Sequence, residues 1–452
     1  MRSWRVSRNI SSLVAIPIAT RNPFSIGEAK QSACEAHCST SATDKFADID
    51  ARTKVIKQGL APKRIASGCG GPLFRFGVIA DIQHADIPDA LNFSGKEMRQ
   101  YRGSLTTVRE AIRHWEENDV LFVAQLGDLI DGQNAGKYGD GLKFAEPQSW
   151  TAIQRVLDEL CRLNLNVPYL HAIGNHELYN FSYEDLKKLM GISGPIANSK
   201  VHSPSPLYYS FSPHPGWRIV MLNGYELSVS LPEGSDGRIK AERLLRANHP
   251  HADALLRGQG KLNYFEGLSG MNQRFVPFNG AFGEEQLHWL SSTLKEAKKD
   301  NERVIILTHL PLHPLSVSGQ EETKANAKNL AYDAPEALRI IWEHGASCVA
   351  AVLAGHCHPG GHYSEPSTAD HLNLMNPLPG EPGNVPPTRA GVHHVTLQAA
   401  LTHKHAYGHI DVYRDHLELV GVAPLGMEAD DARKAGFIPS RKLMLEPLST
   451  PL

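Results

Sequence analysis

The 452-residue chain carries 46 basic and 48 acidic residues, a formal charge of -2, with 41% hydrophobic and 21% charged residues. These proportions give an ordinary globular chain with a substantial core; they exclude global disorder and argue against an extended electrostatic grip on nucleic acid. No apolar run is long enough to span a bilayer, and six cysteines without framework spacing point to a reducing compartment.

The first 70 residues read as an extension outside the fold. Arg2, Arg5, Arg8 and Arg21 stand among serines with no acid before Glu28. That is the composition of an organelle transit peptide and equally of a disordered tail. The expected location is the cytoplasm, or the chloroplast or mitochondrion if the segment is a transit peptide. Cys34 and Cys38 flank His37, but no second ligand pair stands nearby to complete a zinc site.

After a glycine-rich turn at Gly68, Gly70 and Gly71, the apolar run Phe74–Ala80 suits a buried strand that ends at Asp81. Over Ser104–Trp115, Leu105, Val108, Ile112 and Trp115 recur at helical spacing. A second strand, Val120–Leu126, ends at Gly127-Asp128. A second helix, Trp150–Leu163, leads to a third strand, Val167–Ile173, that stops at Gly174-Asn175-His176-Glu177. This alternation is a βαβ rhythm. Tyr208–Ser212 and Arg218–Asn223 read as paired strands, Gln286–Ala297 as a helix, and Val304–Leu307 as a strand running into Thr308-His309. Ala334–His344 is helical in pattern, and the run Cys348–Leu353 leads into Gly355-His356-Cys357-His358. Strands near Val392–Leu397, Ala406–Tyr413 and Leu417–Val422 close a domain over 71–425, leaving 426–452 as a tail. Two irregular loops, the charged and partly helical Glu233–Gly270 and the Pro- and Gly-rich Pro359–Arg389, are candidates to wall a site.

Metal-competent residues follow apolar runs five times, and in α/β sheets ligands collect at the carboxyl ends of strands. Taken singly, each has a plain structural reading: an Asp after a strand caps a helix, and an Asn before a helix serves a turn. The strongest single element is Gly355-His356-Cys357-His358, because alternate side chains of an extended segment face one way. Jointly they describe a centre suited to phosphoesters, whose phosphorus is shielded by negative oxygens. Two cations about 3.5–4 Å apart activate water, bind the phosphate oxygens and clamp an in-line displacement. Such a pair needs a shared carboxylate, with imidazole and oxygen donors around it. Asp128 is the bridging candidate, with Asp81, Gln83 and His358 on one side and Asn175, His309 and His356 on the other.

Asp81-Ile82-Gln83, Gly127-Asp128-Leu129-Ile130-Asp131, Gly174-Asn175-His176-Glu177, Thr308-His309 and Gly355-His356-Cys357-His358 resemble, in order, the five blocks of the calcineurin-like metallophosphoesterase superfamily. The resemblance implies an α/β fold, a four-layered α/β/β/α sandwich of two mixed sheets, and it carries over all seven ligands. It also implies that His176 is catalytic, stabilising developing charge or protonating the leaving oxygen, and that Asp131 supports the site from behind the ligands. The superfamily usually has His where this chain has Gln83; a neutral oxygen donor favours Mn²⁺ or Mg²⁺ over Zn²⁺.

Gln at that position is the form of the manganese-dependent ADP-ribose/CDP-alcohol diphosphatases. Phe76–Gln83, Asn92-Phe93, Gln125–Gly132, Gly174–Asn180, Phe278-Asn279-Gly280, His309-Leu310-Pro311 and Ala354-Gly355-His356 are also similar to that family. The resemblance implies two divalent cations, manganese foremost. It further implies cleavage of the pyrophosphate bond of ADP-ribose, CDP-choline, CDP-glycerol and related nucleotides, with release of a nucleoside monophosphate. Phe93 matches a residue near the nucleotide pocket, where its ring either stacks on a base or packs its own loop. Two departures stand out: the Pro359–Arg389 loop is long, and Gln398 replaces a Glu usual in the family, a change that bears on the metal surroundings.

The competing readings are another metallophosphoesterase (a phosphomonoesterase, cyclic-nucleotide phosphodiesterase or protein phosphatase), a non-catalytic scaffold and a nucleic-acid phosphodiesterase. The intact ligand set argues against the scaffold, and the balanced charge against the last. The expected partner is a small-molecule nucleotide diphosphate substrate, taken by a monomer, without nucleic acid or membrane.

Overall fold

The strand Phe74–Ile79 is buried along nearly its whole length on both faces, as its mostly apolar run, interrupted only by the half-buried Arg75, requires of a central strand. It pairs in parallel with Phe122–Gln125 and antiparallel with Tyr407–Val412, setting Phe76 opposite both Phe122 and Ile410. The computed structural model describes residues 70–92, 95–136, 146–162, 167–189, 202–205, 207–258, 263–317, 326–345, 347–366, 391–424 and 427–447. Phe93, the cysteine pair Cys34 and Cys38, the extension up to residue 69 and residues 367–390 of the long loop lie outside the described residues.

The first sheet runs in the order Arg441–Met444, His416–Gly421, Tyr407–Val412, Phe74–Ile79, Phe122–Gln125, Tyr169–His171. The second runs Gly361–Pro366, Gly391–Thr396, Val349–Ala354, Arg303–Leu307, Trp217–Met221, Tyr208–His214, His202–Ser205. Both mix parallel and antiparallel pairs. Their facing surfaces share one core, in which Phe76 stacks on Phe122 at 4.8 Å and Phe211 of the second sheet meets Phe122 edge-on at 5.8 Å. Helix Ser104–Glu117 covers the outer face of the first sheet. Its fully buried Trp115 donates Nε1–H to the Gly408 carbonyl at 2.8 Å. Helices Glu284–Lys299 and Ala334–His344 pack together on the second sheet. The result is the expected α/β/β/α layering.

Two segments differ from the sequence expectation. Gly361–Pro366, expected in an irregular loop, is an edge strand antiparallel to Gly391–Thr396. Both of its faces bury polar side chains, which left no apolar alternation to read: His362 bonds His393 at 3.3 Å on one face, and Glu365 lies 3.1 Å from His394 on the other. Residues past 425, expected as a tail, form helix Ala429–Lys434 and strand Arg441–Met444, which extends the first sheet and buries Ile438, Leu443 and Leu445. Glu233–Gly270 is partly helical, as expected: it carries helices Asp236–Asn248 and Ala252–Leu256 over a small core of Val229, Ala241, Leu245, Ala252 and Phe275.

Candidate metal centre

Five strand ends meet at one edge of the sandwich. Phe74–Ile79, Phe122–Gln125 and Tyr169–His171 of the first sheet deliver Asp81 and Gln83, Asp128, and Asn175; Arg303–Leu307 and Val349–Ala354 of the second deliver His309, His356 and His358. Main-chain bonds stitch the ends together: Asp81 N–H donates to Gly127 O at 3.1 Å, Gln83 N–H to Asp128 O at 2.8 Å, and Gly355 N–H to His309 O at 3.1 Å. Of the six non-glycine residues with positive φ among the described residues, four are Asp81 (52°), Gln83 (41°), Asp128 (60°) and His356 (65°). Left-handed backbone is unfavourable for such residues, and its concentration here is how tight turns aim these side chains inward. Bare backbone is needed behind them: a Cβ on Gly174 would run into the Asp128 carboxylate, and one on Gly127, at φ 95°, into the His309 ring.

All seven expected ligands converge on this edge. Asp128 Oδ2 stands at the middle, 3.0 Å from Gln83 Nε2, 3.5 Å from His309 Nε2 and 3.9 Å from His176 Nε2. On one side His358 Nε2 lies 3.8 Å from Asp81 Oδ1 and 3.1 Å from Gln83 Nε2. On the other, His309 Nε2 faces His356 Nδ1 at 3.2 Å. Asn175 sits at the edge of this second group, its amide oxygen accepting from Tyr225 Oη at 3.3 Å and its nitrogen donating to Tyr179 Oη at 3.2 Å. Asp128, His309 and His356 offer donor atoms all within 4.8 Å of one another.

The surroundings fix which imidazole nitrogens are free. His309 Nδ1 lies 2.6 Å from the Leu126 carbonyl and His358 Nδ1 lies 3.1 Å from Glu97 Oε2, both pure acceptors, so these nitrogens carry the protons. The Nε2 lone pairs then point into the site. Two buried oxygens there, Asp81 Oδ1 and Gln83 Oε1, find no hydrogen-bond partner. Burial pushes the Asp128 carboxyl up to about 7 and Asp81 well above the carboxylate range, with Asp128 itself adding to the latter. Burial likewise holds His309 down at about 4. Converging lone pairs, unpartnered oxygens and crowded carboxyls form a donor set that fits divalent cations. Turning the Gln83 amide, whose two ends are alike in shape, puts its oxygen where the nitrogen now sits between Asp128 and His358.

A model of the calcineurin-like phosphoesterase family matches residues 74–360. The chain belongs to the calcineurin-like phosphoesterase family. It is 34% identical over 362 residues to a manganese-dependent ADP-ribose/CDP-alcohol diphosphatase of Arabidopsis thaliana, covering 79% of this chain and 96% of that one. The Homo sapiens protein of the same name is 34% identical over 358 residues, covering 77% and 90%. Among solved structures, a dimetal phosphatase from Danio rerio is 30% identical, covers 83% of this chain and 100% of its own, and superposes with a TM-score of 0.64.

In this calcineurin-like phosphoesterase, His176 lies beside the ligand set. The Gly132 N–H donates to its Nδ1 at 2.8 Å, so the neutral ring carries its proton on Nε2, the nitrogen nearer Asp128. Burial, helped by the Arg99 charge, holds its pKa well below the usual histidine value. Asp131 caps the short helix Gly132–Ala135 through the Gln133 N–H, and its carboxylate lies 3.4 Å from His176 Nδ1 and 3.6 Å from Arg99 Nη1. The amide nitrogen of Gln398 donates to the Arg433 carbonyl at 3.2 Å, turned toward the C-terminal helix. Neither His362 nor His405 joins the site: His362 bonds His393, and His405 stacks on Phe437 at 4.5 Å.

Sequence reasoning passed over Glu97, Arg99 and Glu177. Glu97 and Arg99 come from the hairpin Ala90–Leu91/Met98–Arg99, whose two-residue strands leave no periodic signal. Glu177 was visible inside its block, but without a role. Its fully buried carboxylate accepts the main-chain N–H groups of Asp128 (2.8 Å), Leu129 (2.6 Å) and Gly174 (2.8 Å), fixing the loop that aims Asp128. Burial, then the nearby Asp128, pushes its pKa up to about 7. Glu177→Ala therefore strands three buried donors, at about 1–3 kcal/mol each. Thermal unfolding of the metal-free protein is expected to show a clear loss of stability; an unchanged melting temperature contradicts this role.

Proposed function

We propose that this phosphoesterase is a manganese-dependent diphosphatase that hydrolyses ADP-ribose, CDP-alcohols and related nucleotides between their two phosphates. The observation that carries the reading is the complete ligand set around Asp128, with neutral Gln83 in its first block, in a chain similar along most of its length to diphosphatases of that name. In this reading Asp81, Gln83 and His358 would hold one divalent cation and Asn175, His309 and His356 a second, with Asp128 available to both. The chemistry such cations supply is Lewis acidity, which lowers the pKa of water and neutralises phosphate oxygens. The chain's own contributions are positional. Asp128 sets the spacing between the two halves. The Nε2–H of His176, held in place by Gly132, donates to an oxygen that gains charge as the diphosphate breaks. The Arg99 guanidinium, buried behind Asp131, adds a fixed positive charge on the same side. The near-balanced net charge supports a small nucleotide rather than a nucleic acid as substrate.

The direct test is product identity. Metal-stripped protein resupplied with Mn²⁺ and given ADP-ribose is expected to release AMP and ribose phosphate, separated by chromatography; inorganic phosphate as the sole phosphorus product would sink the proposal. A second expectation concerns the metal. Gln83→His replaces an oxygen donor by an imidazole, which suits zinc better. The ratio of Zn²⁺- to Mn²⁺-supported kcat/KM is expected to rise by roughly tenfold or more; an unchanged ratio removes Gln83 from metal selection.

A further inference from the structure

His356 differs from the other two site imidazoles in the partner of its outer nitrogen. His309 rests on a main-chain carbonyl and His358 on a carboxylate, neither of which can donate a proton. His356 Nε2 instead lies 2.9 Å from the side-chain amide oxygen of Asn279, a group that in isolation could present either end. Here the amide has no choice. Asn279 is fully buried, and its nitrogen donates to the Arg274 carbonyl at 2.9 Å and to the Lys328 carbonyl at 2.9 Å. Both amide protons are spent on oxygens that only accept; a flipped amide would set its own oxygen against two carbonyls. The amide oxygen is therefore committed to His356, and Nε2 must carry the proton. That leaves the Nδ1 lone pair facing His309 Nε2 at 3.2 Å, inside the group that also holds Asp128.

We infer that Asn279 is a positioning residue for the metal centre: held by the Arg274 and Lys328 carbonyls, it fixes the Nε2–H tautomer and ring angle of His356, so that Nδ1 is the nitrogen offered to a cation. The inference rests on the metal-centre reading and adds to it a residue that touches neither metal nor substrate. Partners that orient a ligating histidine typically govern metal affinity by about 10- to 100-fold. Asn279 is thus expected to govern the His309/His356 half of the centre and to leave the Asp81/Gln83/His358 half alone.

Two variants separate this role from that of a simple prop for the Arg274 and Lys328 segments. Asn279→Ala removes both the acceptor and the two donors. Asn279→Asp keeps an acceptor for His356 and loses the donors. Mn²⁺ binding is followed by electron paramagnetic resonance titration of the full chain, and folding by thermal unfolding of the metal-free protein. Both variants are expected to lose stability. Asn279→Ala is expected to weaken one of the two Mn²⁺ sites by about 10- to 100-fold, whereas Asn279→Asp stays within about threefold of the parent. At saturating Mn²⁺, kcat of Asn279→Ala should largely return. Parent-like binding by Asn279→Ala overturns the inference, and so does an equal loss of affinity in both variants, because affinity would then follow stability. Fewer than two Mn²⁺ on the parent chain would overturn the metal-centre reading itself, and the inference with it.

Discussion

Asp128→Asn is expected to abolish hydrolysis and metal pairing together while leaving the fold intact. Its carboxylate reaches side chains of both halves of the site: Oδ2 lies 3.0 Å from Gln83 Nε2 and 3.5 Å from His309 Nε2, and Oδ1 accepts the His176 main-chain N–H at 2.9 Å. Asn keeps the shape and one oxygen but gives up the negative charge that two neighbouring cations must share. Burial already pushes this carboxyl up to about 7, so a neutral amide does not burden the metal-free fold. The expected result is fewer than two Mn²⁺ per chain, a fall in kcat/KM of more than about 10³-fold, and an unfolding temperature at least that of the parent. Two tightly held Mn²⁺ with activity within tenfold of the parent would show that Asp128 does not bridge.

His176→Ala is expected to act in the opposite way, keeping both metals and losing rate. The ring is held from behind by Gly132 N–H, and it presents Nε2–H on the Asp128 side. Deleting one donor of this kind costs about 10²–10³ in kcat, with little change in KM when the bond forms mainly in the transition state. Burial keeps the ring neutral, so its contribution is that of a fixed donor. Release of a metal from His176→Ala would mean that the residue belongs to the ligand set and that the assignment of roles is wrong.

Much of the sandwich and of the ligand set was legible in the sequence, because two signals coincided. Runs such as Val349–Ala354 are apolar on both faces and announce buried strands, and the residue types after each run, Asp, Asn and His, are those a metal centre draws on. What escaped has a physical reason in each case. The strand Gly361–Pro366 buries His362 on one face and Glu365 on the other, where they are paired with His393 and His394, so no apolar alternation marks it. Arg441–Met444 carries little apolar surface and is held in the sheet by its register with His416–Leu419. The roles of Glu177 and Asn279 depend on which main-chain groups surround them, and that information exists only once distant segments meet. Similarly, the left-handed backbone at Asp81, Gln83, Asp128 and His356 is imposed by the sandwich edge and not by residue type.

Diphosphate hydrolysis at a manganese centre is tested most directly by steady-state kinetics on the full chain. Metal-stripped protein resupplied in turn with Mn²⁺, Mg²⁺ or Zn²⁺ is to be assayed with ADP-ribose, CDP-choline and p-nitrophenyl phosphate. The highest kcat/KM is expected for the two diphosphates with Mn²⁺, accompanied by release of AMP or CMP. Activity confined to the monoester, whatever the metal, would contradict it.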